Sequence, residues 1–412
     1  MTLPAPAANV PAPAFSDEAA RRLLAAIDPA ETIAFLQSLI RVETVNPPGD
    51  IRDAVELCRK KLTEAGFTCR VEPHEAVKPN LIAEFGTGGS PRLAFNAHLD
   101  VVPTGDLGAW SFPPFGGEIA DGRVYGRGAG DDKASVTAQV MAAVALARSG
   151  LPLAGTLVVN EVADEETTGA GARHSLEGGF VRADMVIVGE QTRGRIAVGE
   201  KGIGWMTLTV TGRTAHGALP WEGANAIEGM ARVIVALERE LHPRLKERTH
   251  PYFHPSSASV NLISGGVKAN VVADRCEILI DRRLVPGEEP QACLEEVRQI
   301  AAAALAGADG LGLEVKPAGD LRAATLSDPA SPVVRAMLAA NRHLGLSEEL
   351  FGFSMASDGR FFAAAGIPTI IYGPGDPTLA HVPDEWVGVD ETLEATRAYA
   401  LAALAVLAVL GA

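Results

Sequence analysis

Apolar positions along the chain follow three rhythms. From residue 17 to 66 they recur three and four apart, in "DEAARRLLAAI", "AETIAFLQSLIRV" and "IRDAVELCRKKLTEAG". That period predicts amphipathic helices. Short apolar runs follow at 68–71, 80–85, 92–97, 156–162, 185–188 and 369–372, and these predict strands. An Ala-rich stretch over 134–149 predicts a long helix between two of them. Strands alternating with helices predict an α/β fold built on a layered sheet.

The middle of the chain changes rhythm. "GWMTLTVTG" alternates as a strand, "NAIEGMARVIVALEREL" has helical spacing, and "SASVNLISGG" and "RCEILIDRRLV" are two strands joined by a Gly-containing turn. "PQACLEEVRQIAAAALA" predicts a second helix and "GLEVKPA" a last strand. The order β-α-β-β-α-β is the ferredoxin-like pattern. It places an inserted α+β domain at 204–318, flanked by the two parts of a first domain, 17–203 and 319–412. The first domain resumes with a helix near 331–344. The Pro- and Ala-rich residues 1–16 have no such rhythm, lack the features of a signal peptide, and read as a flexible arm. The apolar C-terminal "YALAALAVLAVLGA" is shorter than the roughly 20 residues of a membrane span and reads as a packed helix.

Composition narrows the function. A chain of 412 residues exceeds one simple core. The formal net charge of −15, spread along the chain, argues against a nucleic-acid partner, which needs a basic face. Four scattered cysteines, with no CxxC, predict no disulfide framework and a cytoplasmic setting.

Candidate chemistry gathers at strand ends. His98 and Asp100 follow the run 92–97, in "AHLDVVP". Asp131 and Asp132 lie in "YGRGAGDDKAS", just before the long helix, and Glu165 and Glu166 follow the run 156–162, in "NEVADEETTG". Glu190 follows "MVIVG", and His381 follows "IIYGPGDPTLA". Open α/β sheets form their sites outside the carboxyl ends of strands. Any one of these residues alone would read as a cap or a solvated loop residue. Together, two His and three carboxylates suit two divalent ions of the zinc type, one carboxylate bridging. Such a pair can polarise a carbonyl and activate water.

These stretches resemble the M20 metallopeptidases and deacylases, the group of acetylornithine deacetylases, succinyl-diaminopimelate desuccinylases, aminoacylases and glutamate carboxypeptidases. The matching segments also include "VGEQT", "GRTAHGALP", "DRRLVPGE", "SDGRFF" and "AHVPDE", and the resemblance runs from about residue 30 to 408. It implies a zinc-peptidase-like catalytic domain, with a mixed central sheet flanked by helices, and an inserted lid and dimerisation domain. It implies two zinc ions, with cobalt or manganese as substitutes: one held by His98, Asp131 and Glu190, the other by Asp131, Glu166 and His381. Glu165 would be the general base, and Asp100 would orient His98 through its ring N–H. His216 would steady the oxyanion from the partner subunit of a homodimer. Arg283 and Asn270 would hold the substrate carboxylate, and Ser357 would lie on a substrate loop. The resemblance further implies a cis peptide between Asp131 and Asp132.

The chain departs from the family's pattern at Ala97, at Asp132, in "EETTGAGA", and in "GFSMASDGR", which lacks a Gly-Gly-Thr. No ligand is lost. Phe351, Phe353 and Met355, beside that last stretch, could line an acyl pocket or pack the core. The leading expectation is an amidohydrolase acting on a small-molecule N-acyl amino acid, without nucleic acid or membrane. A carboxypeptidase or dipeptidase of the same family is the alternative. A non-catalytic metal-binding protein does not explain Glu165, and a two-metal phosphoesterase does not explain Arg283.

Overall fold

The computed structural model describes residues 15–409; most of the expected arm, residues 1–14, lies outside them. In chain order the strands are β1 (Thr68–Glu75), β2 (Lys78–Gly86), β3 (Arg92–His98), β4 (Glu118–Ala120), β5 (Arg123–Tyr125), β6 (Thr156–Val162), β7 (Met185–Gly189) and β8 (Ile196–Glu200). Then come β9 (Gly202–Thr211), β10 (Ser257–Gly265), β11 (Arg275–Leu284), β12 (Gly312–Pro317), β13 (Leu350–Phe353), β14 (Thr369–Tyr372) and β15 (Trp386–Gly388). The chain divides into two compact units. Among the described residues, one comprises 15–199, 327–353 and 357–409; the other comprises 200–326 with 354–356.

The first unit carries an eight-stranded mixed sheet in the order β1-β2-β6-β3-β7-β14-β8-β13. Its centre is parallel: β3 pairs with β6 and β7, and β7 with β14. Register brings the carboxyl ends of these strands level, since His98 faces Val162, Asn96 faces Val188 and Tyr372 faces Gly189. β6 and β7 are buried along their whole length, as a parallel strand covered on both faces must be. The helix Lys133–Ser149 is buried on every side from Lys133 to Leu146. Its Ala-rich sequence permits this, because small side chains let both the sheet and neighbouring helices approach. The helix Val389–Leu407 packs beside it and takes in the apolar C-terminal run as far as Leu407. Phe353 lies in the core with Ile82, Val158 and Ile371, and Phe351 packs against that cluster, so these rings serve packing. A small sheet, β15-β5-β4, was not visible in the sequence.

The second unit has a four-stranded antiparallel sheet, β10-β11-β9-β12. The helices Ala226–Ala236 and Pro290–Ala304 share a core with one sheet face, including Met206, Leu208, Val210, Ile278, Ile280, Met230, Val233, Leu294 and Val297. The alternation of β11, buried at every second residue, is the period of a sheet covered on one face. The expected helix ending at Leu241 instead widens into a π turn over Leu237–Leu241 and continues as His242–Glu247. Pro243, which has no N–H to donate and whose ring crowds the carbonyl one turn back, sits just beyond the widened turn.

Candidate metal centre

The level ends of β3, β6, β7 and β14 explain why distant residues meet. His98 closes β3, Glu165 and Glu166 lie three and four residues beyond β6, and Glu190 directly follows β7. His381 comes from the segment after β14, in a left-handed backbone conformation with φ 66°. Asp131 enters from the loop before the helix Lys133–Ser149, across a cis peptide to Asp132.

Asp131 stands between the two histidines. Its Oδ1 is 3.2 Å from His98 Nε2 and its Oδ2 is 3.1 Å from His381 Nε2. Glu166 Oε2 is 3.2 Å from the same His381 nitrogen. Among the described residues, donor atoms of Asp131, Glu166 and His381 lie within 4.8 Å of one another, and so do those of His98, Glu165 and Glu190. Around one tetrahedral ion with bonds of about 2.0–2.1 Å, donors sit roughly 3.3 Å apart, so a small contraction would close each group. Glu165 lies beside His98 and Glu190, and Asp131 is in contact with His98 at 3.2 Å.

The electrostatics are those of a site built for cations. Burial pushes the carboxyls of Glu165 and Glu190 well above their usual range; the charges of Asp358 and Glu166 add to this at Glu165, and those of Glu165 and Asp131 at Glu190. Burial and the charge of Asp131 raise Glu166 as well. Burial opposes charge on His98, but Asp131, Asp132 and Glu165 outweigh it and hold the ring well above the histidine range. Hydrogen bonds that His381 donates to Asp131 and Glu166 raise it to about 10. Protons on two histidines are thus the main positive charge facing several carboxylates. Glu166 Oε1 is buried with no hydrogen-bond partner. A buried carboxylate oxygen without a partner is costly unless a cation faces it, so the donor set fits two divalent ions.

His98 is oriented differently from the expectation. Its Nδ1 donates to the main-chain carbonyl of Asp100 at 2.9 Å, while the Asp100 carboxylate is 3.8 Å away. A carbonyl can only accept, so Nδ1 carries a proton, while Nε2 faces Asp131. The fully buried Asp100 carboxylate instead accepts from Glu165 N at 3.2 Å and from Asn46 Nδ2 at 2.8 Å. Asn46 Nδ2 also donates to Asp164 Oδ1 at 2.8 Å, and Asp164 takes further bonds from Lys78 and His74. Asp100 therefore fixes the backbone of the Glu165–Glu166 pair and orients His98 through its carbonyl. Asn46 and Asp164, in loops, and His74 and Lys78, near the ends of β1 and β2, were missed because a single polar residue leaves no periodic trace.

Ser357 is buried, and its Oγ accepts from Gly359 N at 3.1 Å at the start of the helix Gly359–Ala364. The nearby Arg360 places Nη1 3.6 Å from Glu165 Oε1. In the second unit, His216 and Asn270 are neighbours: Gly217 N donates to Asn270 O at 2.8 Å, and His216 bridges to Val271. His216 is exposed, with Nδ1 accepting from Ala218 N at 3.1 Å. Arg283, on β11, is taken up by its own strand: Nε and Nη2 bind Asp281 at 2.9 and 3.0 Å. One edge of its fork thus faces a carboxylate of its own strand, while a guanidinium has further N–H groups beyond that edge.

Comparison with known proteins identifies the family. The description of peptidase family M20/M25/M40 matches residues 94–405. A succinyl-diaminopimelate desuccinylase of Cereibacter sphaeroides is 33% identical over 376 residues, 88% of this chain and 95% of that protein. One of Rhodospirillum centenum is 32% identical over 383 residues, 90% and 95% of the two chains. Among solved structures, a tripeptidase from Staphylococcus aureus superposes with a TM-score of 0.75 at 20% identity, covering 92% of this chain and 99% of that one. A dinuclear metal-binding M20 peptidase from Bacillus subtilis gives 0.69 at 20% identity, covering 91% and 97%. With three-quarters of its length matched by one family and its relatives aligned nearly end to end, the chain belongs to peptidase family M20/M25/M40 and is a hydrolase of amide bonds.

Proposed function

We propose that the chain is a two-zinc deacylase that cleaves the amide bond of an N-acyl amino acid. One observation supports this most strongly: the single carboxylate of Asp131 faces His98 with one oxygen and His381 with the other. His98, Asp131 and Glu190 would hold one ion, and Asp131, Glu166 and His381 the other, with cobalt or manganese able to replace zinc. Bound there, two divalent cations supply Lewis acidity to the amide carbonyl and to water. Glu165, nearly buried and not needed as a ligand, takes a proton from the attacking water and passes it to the leaving nitrogen. Asp100 keeps Glu165 in place through its backbone N–H. His216 donates to the developing oxyanion, Arg283 with Asn270 receives the α-carboxylate, and Ser357 lines the substrate loop. The name shared by the similar desuccinylases favours deacylase over peptidase.

In this reading, 17–203 and 319–412 form the catalytic domain, and 204–318 the lid and dimerisation domain of a homodimer. Support for the dimer comes from β10, an edge strand with Leu262 64% and Ile263 60% exposed. Unpaired, apolar edges of this kind are usually covered. Four free cysteines suit a cytoplasmic protein; among the described residues no single helix is long and apolar enough to cross a membrane. The test is kcat/KM on acetyl, succinyl, formyl and aromatic acyl amino acids, dipeptides and p-nitrophenyl phosphate, with zinc or cobalt added. An acyl amino acid should lead. Faster dipeptide turnover would make the enzyme a peptidase, and turnover of the phosphoester alone would overturn the reading.

A further inference from the structure

Arg127 and Glu385 form an ion pair that is 1% and 0% exposed, with Nη1 and Oε2 2.6 Å apart. The pair touches all three segments that carry the Asp131–histidine arrangement. Glu385 Oε1 accepts from Gly130 N at 2.9 Å and from Asp131 N at 3.0 Å. Arg127 donates to Val382 O, the residue after His381, at 3.3 Å. It also donates to Pro103 O, on the segment leaving His98, at 3.4 Å. The small sheet brings the two stretches together: Trp386 of β15 pairs with Tyr125 of β5, and Gly126 N donates to Glu385 O at 2.9 Å.

Glu385 is not itself a candidate ligand. One oxygen already receives two N–H groups and the other a guanidinium. The side chain of Asp131 must meet two imidazoles at once, at 3.2 and 3.1 Å, so the direction of its backbone decides whether one carboxylate can serve two ions. We propose that Glu385 is the positioning residue for Asp131: by accepting the N–H groups of Gly130 and Asp131 it aims the shared carboxylate, and binding of the second cation depends on it. This rests on the two-cation reading above. Groups that orient metal ligands typically govern 10–100-fold in affinity.

The test is equilibrium dialysis of the full chain against zinc, with ions per chain counted by mass spectrometry and cobalt absorption read in parallel. Arg127→Met with Glu385→Leu removes the ion pair and the acceptor together. Arg127→Met with Glu385→Gln removes the same charges but keeps a carbonyl toward the two N–H groups. The Gln pair should bind two ions as the unaltered chain does, and the Leu pair should bind the second at least about tenfold more weakly. Wild-type binding in the Leu pair, or equal loss in both, overturns the proposal. Should the Leu pair fail to fold, Glu385→Asp, which keeps the charge but withdraws the oxygen, must show the same weakening; wild-type binding there overturns it. Fewer than two ions on the unaltered chain would overturn the two-cation reading and this inference together.

Discussion

Asp164, Glu165 and Glu166 are three adjacent acids with three different surroundings. Asp164 is paired with Lys78 and in contact with His74, Glu166 faces His381, and Glu165 has Arg360 3.6 Å away. Glu165→Gln should therefore abolish turnover, by at least ~10²-fold, with both metals retained. Glu166→Gln should lower the metal content. Metal analysis that finds the reverse would invert the two roles. At this scale the sequence was legible where residue type announces chemistry: His98, Asp131, Glu190 and His381 stand out at the ends of apolar runs. Asn46 and Glu385 do not, because their importance lies in which N–H or oxygen they meet across 54 and 254 residues of chain. The orienting role given to the Asp100 side chain also could not be checked in sequence, since a carbonyl and a carboxylate of one residue are indistinguishable there.

Among elements, the helix Lys133–Ser149 and the end of β7 leave no room between them. A Cβ on Gly189 would lie 2.6 Å from Ser135 Cβ and 3.0 Å from Ala97 Cβ. Gly189→Ala should cost about 1–3 kcal/mol by overpacking and weaken metal binding through the adjacent Glu190, measured by denaturant unfolding and metal content. Unchanged stability would mean that the helix can shift freely. Glu31, on the helix Pro29–Ile40, joins Arg148 of the long helix and Lys61 of Arg52–Glu64. The hydrogen bond from Arg148 chiefly, with help from Lys61, lowers its carboxyl to about 2. A depressed pKa contributes stability above the unfolded value, and the contribution fades as pH falls toward 2. Glu31→Gln should cost up to ~1 kcal/mol at neutral pH, screening included, and nothing near pH 2. A constant difference across pH would remove the charge from the explanation. The long strands and helices were legible because their apolar periods run for many residues. β4, β5 and β15 have three residues each, too few to show a period, yet β5 and β15 bring Arg127 and Glu385 together.

For the whole molecule, the division at 200–326 lies a few residues outside the range read from the β-α-β-β-α-β pattern, because β9 begins at Gly202 and residues 319–326 stay with the second unit. Each unit has a core of its own. If His216 works across a dimer, co-expressing Glu165→Gln with His216→Ala, each inactive alone, should restore one intact site per mixed dimer; activity no higher than either parent would place His216 in cis. Cations that bind only the folded chain stabilise it, so a chelator should lower the melting temperature, and added zinc should restore it. The most direct test of the account is anomalous diffraction at the zinc edge from the zinc-loaded enzyme. It should show two peaks about 3.5–4 Å apart, one against His98 and Glu190 and one against His381 and Glu166, with Asp131 reaching both. A single peak, or peaks away from Asp131, would contradict it.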